Sequence, residues 1–165
     1  MSERKRQKMI SASAQDGVGV EPGTSILAEA SRVCFRVVGR PEEVRTARRL
    51  VAEAGERWDL GEEVVEVLRL VVSEVVTNAV NAVPGGLIEV RVERREGCVV
   101  LEVWDEGEVM AGGEVRMPEG EVESGRGLAM VGVLAARWGV EAEPDGRGKR
   151  VVVHVGVGRG CFCGG

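Results

Sequence analysis

The chain has 165 residues, 44% of them apolar, with a formal net charge of −5 and a pI near 5.2. That length suits one domain with short terminal extensions and an ordinary core, and the acidic balance argues against a nucleic-acid binder. The basic start, Met1-Ser2-Glu3-Arg4-Lys5-Arg6-Gln7-Lys8, leads into no apolar h-region, and the longest apolar runs fall short of a spanning helix. The expectation is a cytoplasmic protein without signal peptide or membrane segment.

Residues 1–28 show no sustained period and mix Ser, Gly, Gln and charges, the composition of a flexible arm. From Arg32 to Val38 the chain alternates, with Val33, Phe35 and Val37 on one side, which predicts a strand. After Gly39-Arg40, Pro41 suits the first turn of a helix, with Glu42 and Glu43 at its positive end. Val44, Ala47, Leu50, Val51 and Ala54 then recur at helical spacing, and Gly55 weakens that helix near its end.

A second helix is predicted from Gly61 or Glu62 to Val83, on the spacing of Val64, Val67, Leu68, Val71, Val72, Val75, Val76, Ala79 and Val80. Pro84-Gly85-Gly86 stops it. Its β-branched content is high, so packing rather than propensity must hold it helical. A hairpin follows: Ile88, Val90 and Val92 alternate with charges, as do Val99, Leu101 and Val103 beyond the turn at Glu96-Gly97.

Residues 106–124, rich in Gly and Glu, read as a long loop, a length that is usually functional or disordered. A third helix carries Leu128, Val131, Ala135 and Trp138 on one face, and short strands near 140–143 and 150–155 close the domain around the turn Asp145-Gly146-Arg147-Gly148. The order βααββ–loop–αββ gives an α+β fold, a two-layer α/β sandwich with a mixed, mostly antiparallel sheet and three helices on one face. Cys34 and Cys98 read as small core residues, and Cys161-Phe162-Cys163 sits in a Gly-rich tail over 157–165, a lone Cys-x-Cys that is a weak metal or redox signal against the alternative of a frayed terminus.

Three pieces carry chemistry. Glu74 and Asn78 are four apart, one turn apart on one face of an otherwise apolar helix, where a carboxylate and an amide are costly unless something satisfies them. Asn78 offers a neutral oxygen to Mg²⁺, Glu74 can accept a proton as general base, and Thr77 and Asn81 widen the polar stripe; the competing reading is a solvated helix face. Asp105, closing a strand, can accept from the amino group of adenine, with Gly107 letting backbone approach the purine, although Asp-x-Gly is also a common turn. Gly125-Arg126-Gly127-Leu128 opens a helix where backbone N–H groups point at anions, and Arg126 adds charge or faces solvent. The pattern is not a Walker A loop, since Gly148-Lys149 is followed by Arg150 with no Gly five before Gly148, nor the dinucleotide fingerprint, since Met130 stands where a third Gly is needed.

In this order the pieces resemble the GHKL (Bergerat-fold) ATPases, and within them the small anti-sigma-factor serine/threonine kinase branch. Leu70-Val71-Val72-Ser73-Glu74-Val75-Val76-Thr77-Asn78-Ala79-Val80 is similar to its N-box, Asp105-Glu106-Gly107 to its first glycine box, and Gly125-Arg126-Gly127-Leu128-Ala129-Met130-Val131 to its second. Gly148-Lys149 fits the closing motif. The resemblance spans about residues 31–155 and implies a Bergerat domain over 29–156 that binds ATP and Mg²⁺, with 106–124 as the ATP lid. Glu74 would be the catalytic base, Asn78 the metal ligand and Asp105 the adenine contact, with Gly125 and Gly127 bordering the triphosphate. It implies transfer of the γ-phosphate to a serine or threonine of an anti-anti-sigma (STAS-type) partner, sequestration of a sigma factor, and leaves a homodimer open, as in many relatives.

The sequence departs from the family in three places that bear on ATP affinity: Asn81-Ala82 instead of Arg-His, Arg150 instead of Thr after Gly-Lys, and a lid with Glu106, Glu108, Glu114, Glu119, Glu121 and Glu123 against Arg116 alone. The alternative is a catalytically weak Bergerat-fold interaction module. A sensor histidine kinase core fits poorly, because the one histidine, His154, lies in a strand-like segment.

Overall fold

The computed structural model describes residues 26–108 and 126–158. The chain runs β1 (Ile26–Ala28), β2 (Arg32–Val38), α1 (Pro41–Arg57), α2 (Glu62–Ala82), β3 (Leu87–Arg95), β4 (Cys98–Asp105), α3 (Arg126–Leu134), β5 (Arg137–Ala142) and β6 (Lys149–Gly156). The sheet has the order β1-β2-β3-β4-β6-β5. All five pairings are antiparallel, so the expected mixed sheet reduces to its antiparallel part. The α+β two-layer sandwich is as expected.

Alternation decides which face is covered. Val33, Phe35 and Val37 lie opposite Val92, Val90 and Ile88, and the rows continue through Leu101 and Val103 to Val153 and Val151. Every one of these apolar residues is buried under the helices. The other face carries a ladder of ion pairs, among them Arg36–Glu89 at 2.9 Å, Arg91–Glu102 at 3.3 Å and Arg150–Glu143 at 2.6 Å. Such solvated pairs contribute at most about 1 kcal/mol each, enough to set register but not to build a core. Cys34 lies half-buried on that ladder face opposite Arg91 rather than in the core, whereas Cys98 is buried. Cys161 and Cys163 lie outside the described residues.

The central helix α2 packs against α1, α3 and strands β3, β4 and β6. Its buried stripe is Val65, Leu68, Val71, Val72, Val75, Val76, Ala79 and Val80. Helix α1 starts at Pro41 with Glu42 and Glu43 in its first turn. It continues through Gly55 to Arg57 because Gly55 faces α2, where an added Cβ would stand 3.0 Å from Val65 Cγ2.

Two boundaries differ from the sequence expectation. Ile26–Ala28, assigned to the arm, forms the short edge strand β1 against Val33, Cys34 and Phe35. Trp138, assigned to the third helix, belongs to β5 and pairs with Val153. The N–H of Ala136 donates to the His154 carbonyl, which turns the chain out of the helix and into the sheet before Trp138 is reached. No described helix is long and apolar enough to cross a membrane.

Core and surface leucines two residues apart on α2 should separate sharply. Leu68 is 0% exposed and Leu70 47%. Leu68→Ala should lower unfolding free energy by about 2–5 kcal/mol, and Leu70→Ala should stay within about 0.5 kcal/mol of the parent, both read from urea transitions. The single histidine offers a second check. Burial, then the nearby Arg137 and Arg95 guanidinium groups, hold the His154 pKa below its usual 6.5. The unfolded chain therefore takes up this proton first, and stability falls as pH drops from 6.5 through the lower folded value. The Arg95 hydrogen bond, outweighing burial and helped by Arg32, holds the Glu93 carboxyl below 4.5, so its contribution is lost only at still lower pH. His154→Gln should flatten the loss between about pH 7 and about pH 5.5; an unchanged slope in paired urea titrations would contradict this origin.

Candidate functional site

Two polar residues of α2 and its last alanine form a line. Glu74, Asn78 and Ala82 follow one another at four-residue spacing, a stripe of about 12 Å along one helix face. Its two ends meet the two glycine segments. At one end, Gly127 in the first turn of α3 lies so close that an added Cβ would run into the Glu74 carboxylate. At the other, the Cβ of Ala82 lies 3.4 Å from the point where a Cβ on Gly107 would stand. Helix α2 thus spans from the opening of α3 to the end of β4, with Asn78 midway.

The hydroxyls beside this line are satisfied within the helix. Ser73 Oγ donates to the Arg69 carbonyl at 2.7 Å, and Thr77 Oγ1 donates to the Ser73 carbonyl at 2.6 Å. Asn78 differs: its Nδ2 is buried without a hydrogen-bond partner. Leaving such a donor unpaired costs about 1–3 kcal/mol. A terminal amide can turn to present either its oxygen or its nitrogen, so a bound group can satisfy it.

Asp105 is 1% exposed, the one charged residue buried to that degree among those described. Two bonds reach its Oδ1: Gly107 N–H at 2.8 Å and Lys149 Nζ at 2.6 Å. A carboxylate so enclosed is tolerable only when paired. The pairing follows from sheet register, in which Asp105 of β4 lies opposite Lys149 of β6. Gly148, at φ +98°, brings β6 this close, since an added Cβ there would strike the Asp105 carbonyl oxygen. Lys149 is the site residue the sequence reading did not single out. Gly148-Lys149 was legible as a motif, but its ion pair depends on the register of strands 44 residues apart.

Of the remaining candidates, Leu128 is half-buried in the first turn of α3, Arg126 opens that helix, and Gly125 lies outside the described residues. Most of the expected lid, residues 109–124, also lies outside them; Glu106 and Glu108 are exposed. Three clefts lie elsewhere: on the ladder face around Cys34, between α1 and α2 around Arg45 and Arg69, and beside Ser31 and Gly97. The α2 stripe lines none of them. Gly127 lies over its Glu74 end, and near its Ala82 end Lys149 is paired with Asp105.

The residues present fit a nucleotide with its metal on two counts: an enclosed amide without a partner, and glycines at two points where a side chain would fill the approach. No trio of His, Cys, Asp or Glu converges among the described residues. A divalent ion here would be held by Asn78 together with water and ligand oxygens, the coordination Mg²⁺ favours.

The contact between α3 and Glu74 is open to test. A methyl group at position 127 meets the far end of a flexible side chain, not backbone. Gly127→Ala should therefore keep its Tm within about 3 °C of the parent, because alanine also favours helix by about 1 kcal/mol. A crystal structure should show Glu74 in a new rotamer; an unmoved carboxylate would refute the contact.

No curated protein matches the chain. Residues 37–154, which hold the α2 stripe, Asp105, Gly127 and Lys149, match the histidine kinase-like ATPase domain, and the chain belongs to that family.

Proposed function

We propose that this protein binds Mg·ATP along the α2 stripe and acts as a cytoplasmic regulatory serine/threonine kinase of the anti-sigma-factor type. The observation that carries the reading is the line Glu74–Asn78–Ala82, whose ends meet Gly127 and approach Gly107. In this reading Asn78 holds the metal, Asp105 takes the purine amino group, and Gly107 leaves room beside it. Gly125, Arg126, Gly127 and Leu128 border the phosphates, where the first-turn N–H groups of α3 are directed at anions.

Bound Mg·ATP supplies the transferable γ-phosphoryl group. Glu74 accepts the proton of an incoming seryl or threonyl hydroxyl, whose oxygen forms the new P–O bond as the bond to the ADP oxygen breaks. The acceptor is a STAS-type anti-anti-sigma protein, and a sigma factor is the competing partner; a homodimer is compatible with both. These partners rest on the resemblance of the N-box and second glycine box. One observation favours a second reading, an interaction module with weak nucleotide binding: Arg150, which follows Gly148-Lys149, is held by Glu143 at 2.6 Å.

Thermal melts with and without Mg·ATP separate the two. The kinase reading expects a Tm rise that grows with nucleotide concentration, and no rise at millimolar Mg·ATP favours the module. Glu74→Gln should keep that rise while transfer of labelled γ-phosphate to a purified STAS acceptor drops by about 10²–10⁴-fold. Equal transfer by parent and variant removes Glu74 as the base.

A further inference from the structure

On the helix-covered face, one row of facing residues reads Val37, Ile88, Asp105, Lys149 across four strands. The apolar row thus passes into an acid and a base before it reaches Ala142 on the edge strand β5. Asp105 receives both of its bonds on Oδ1, from Gly107 N–H and from Lys149 Nζ. Lys149 has three N–H donors and commits one to Asp105. Its side chain remains 20% exposed, against 2% for Asp105. An acceptor and a charged donor therefore stand side by side, with the donor nearer solvent. Gly107 leaves this pair open, since an added Cβ would lie 2.6 Å from both Asp105 Oδ1 and Lys149 Nζ.

Adenine presents a matching pair of neighbours on one edge: the N6 amino group donates and ring N1 accepts. Guanine presents the opposite, with O6 accepting and N1–H donating. We infer that Lys149 is a second base-reading residue, donating to N1 of adenine while Asp105 accepts from N6. This inference rests on the nucleotide reading above. A carboxylate by itself reads one group on the purine. The Asp105–Lys149 pair reads two, and guanine set in the same orientation would leave both protein groups facing their own kind. Lys149 would act by direct contact with the base, at a distance from the phosphates and from Glu74.

The test is equilibrium binding to the full chain, by calorimetry, of the Mg²⁺ complexes of ATP, GTP and 1-deaza-ATP, in which C–H replaces N1. Loss of a charge-assisted hydrogen bond should weaken 1-deaza-ATP by about tenfold or more relative to ATP, with GTP weaker still. Lys149→Met should bind ATP and 1-deaza-ATP equally. The parent's ATP to 1-deaza-ATP ratio decides the matter even if that variant does not fold. Equal affinity of the parent for the two analogues, or tighter binding of GTP, overturns the role of Lys149 while leaving nucleotide binding intact. Failure of all three to bind overturns the nucleotide reading and this inference together.

Discussion

Everything in this fold is hung on the burial of α2. The helix contains eight valines, each of which disfavours helix by about half a kcal/mol relative to alanine. Six of them, Val65, Val71, Val72, Val75, Val76 and Val80, are at most 6% exposed. Burying a valine contributes about 1.5 kcal/mol or more, so packing outweighs propensity roughly threefold at each such position. The helix exists because the sheet and its two neighbours cover it. That same constraint fixes its rotation. Once the valine stripe faces the sheet and α1, the face bearing Glu74, Asn78 and Ala82 can only point toward α3 and the end of β4. The polar line is positioned by the apolar one.

The sheet imposes a second constraint on the site. Antiparallel register carries the inner-face rows from β2 to β6, and the row through Val37 and Ile88 must end somewhere near the sheet's rim. Before reaching Ala142 of β5 it passes through Asp105 and Lys149 at 2.6 Å, a pairing that a row in the middle of the strands could not tolerate as readily, because both charges would lose water. At the rim, Lys149 retains partial exposure while Asp105 does not. The asymmetry makes the carboxylate depend on the ammonium more than the reverse. It also means that any ligand group reaching Asp105 arrives beside a positive charge, a condition set by this chain's own β6.

Local periodicity made most of the fold legible. Period-two alternation at Ile88, Val90 and Val92, the 3.6-residue period of α2, Pro41 at a helix start and Pro84-Gly85-Gly86 at a helix stop are all decided within a few residues of chain. What escaped depends on distant partners. β1 is three residues long and is a strand only because Val33 to Phe35 stand beside it. Trp138 has helical spacing from Val131 and Ala135, yet the carbonyl of His154 in β6 captures the chain first. In the site, the Glu74–Asn78 pair and the glycine segments were visible as residue types at fixed spacing. The closeness of Gly127 to Glu74 and the closure of Asp105 by Lys149 were not, since helix docking and the β4–β6 register join segments far apart in sequence.

These long-range contacts change how the departures from the family pattern should be weighed. Ala82, where the family resemblance leads one to expect an imidazole, lies beside Gly107, and its small side chain fills less of the space there than an imidazole would. Arg150 looks unfavourable as a replacement for a purine-binding hydroxyl, but strand alternation turns it to the ladder face, where Glu143 and Glu102 hold it. The residue that alternation delivers to the inner face is Lys149, its neighbour. A substitution read from sequence as weakening base binding therefore lies on the opposite side of the sheet from Asp105, and the residue beside that carboxylate is Lys149, whose ion pair with it is already in place.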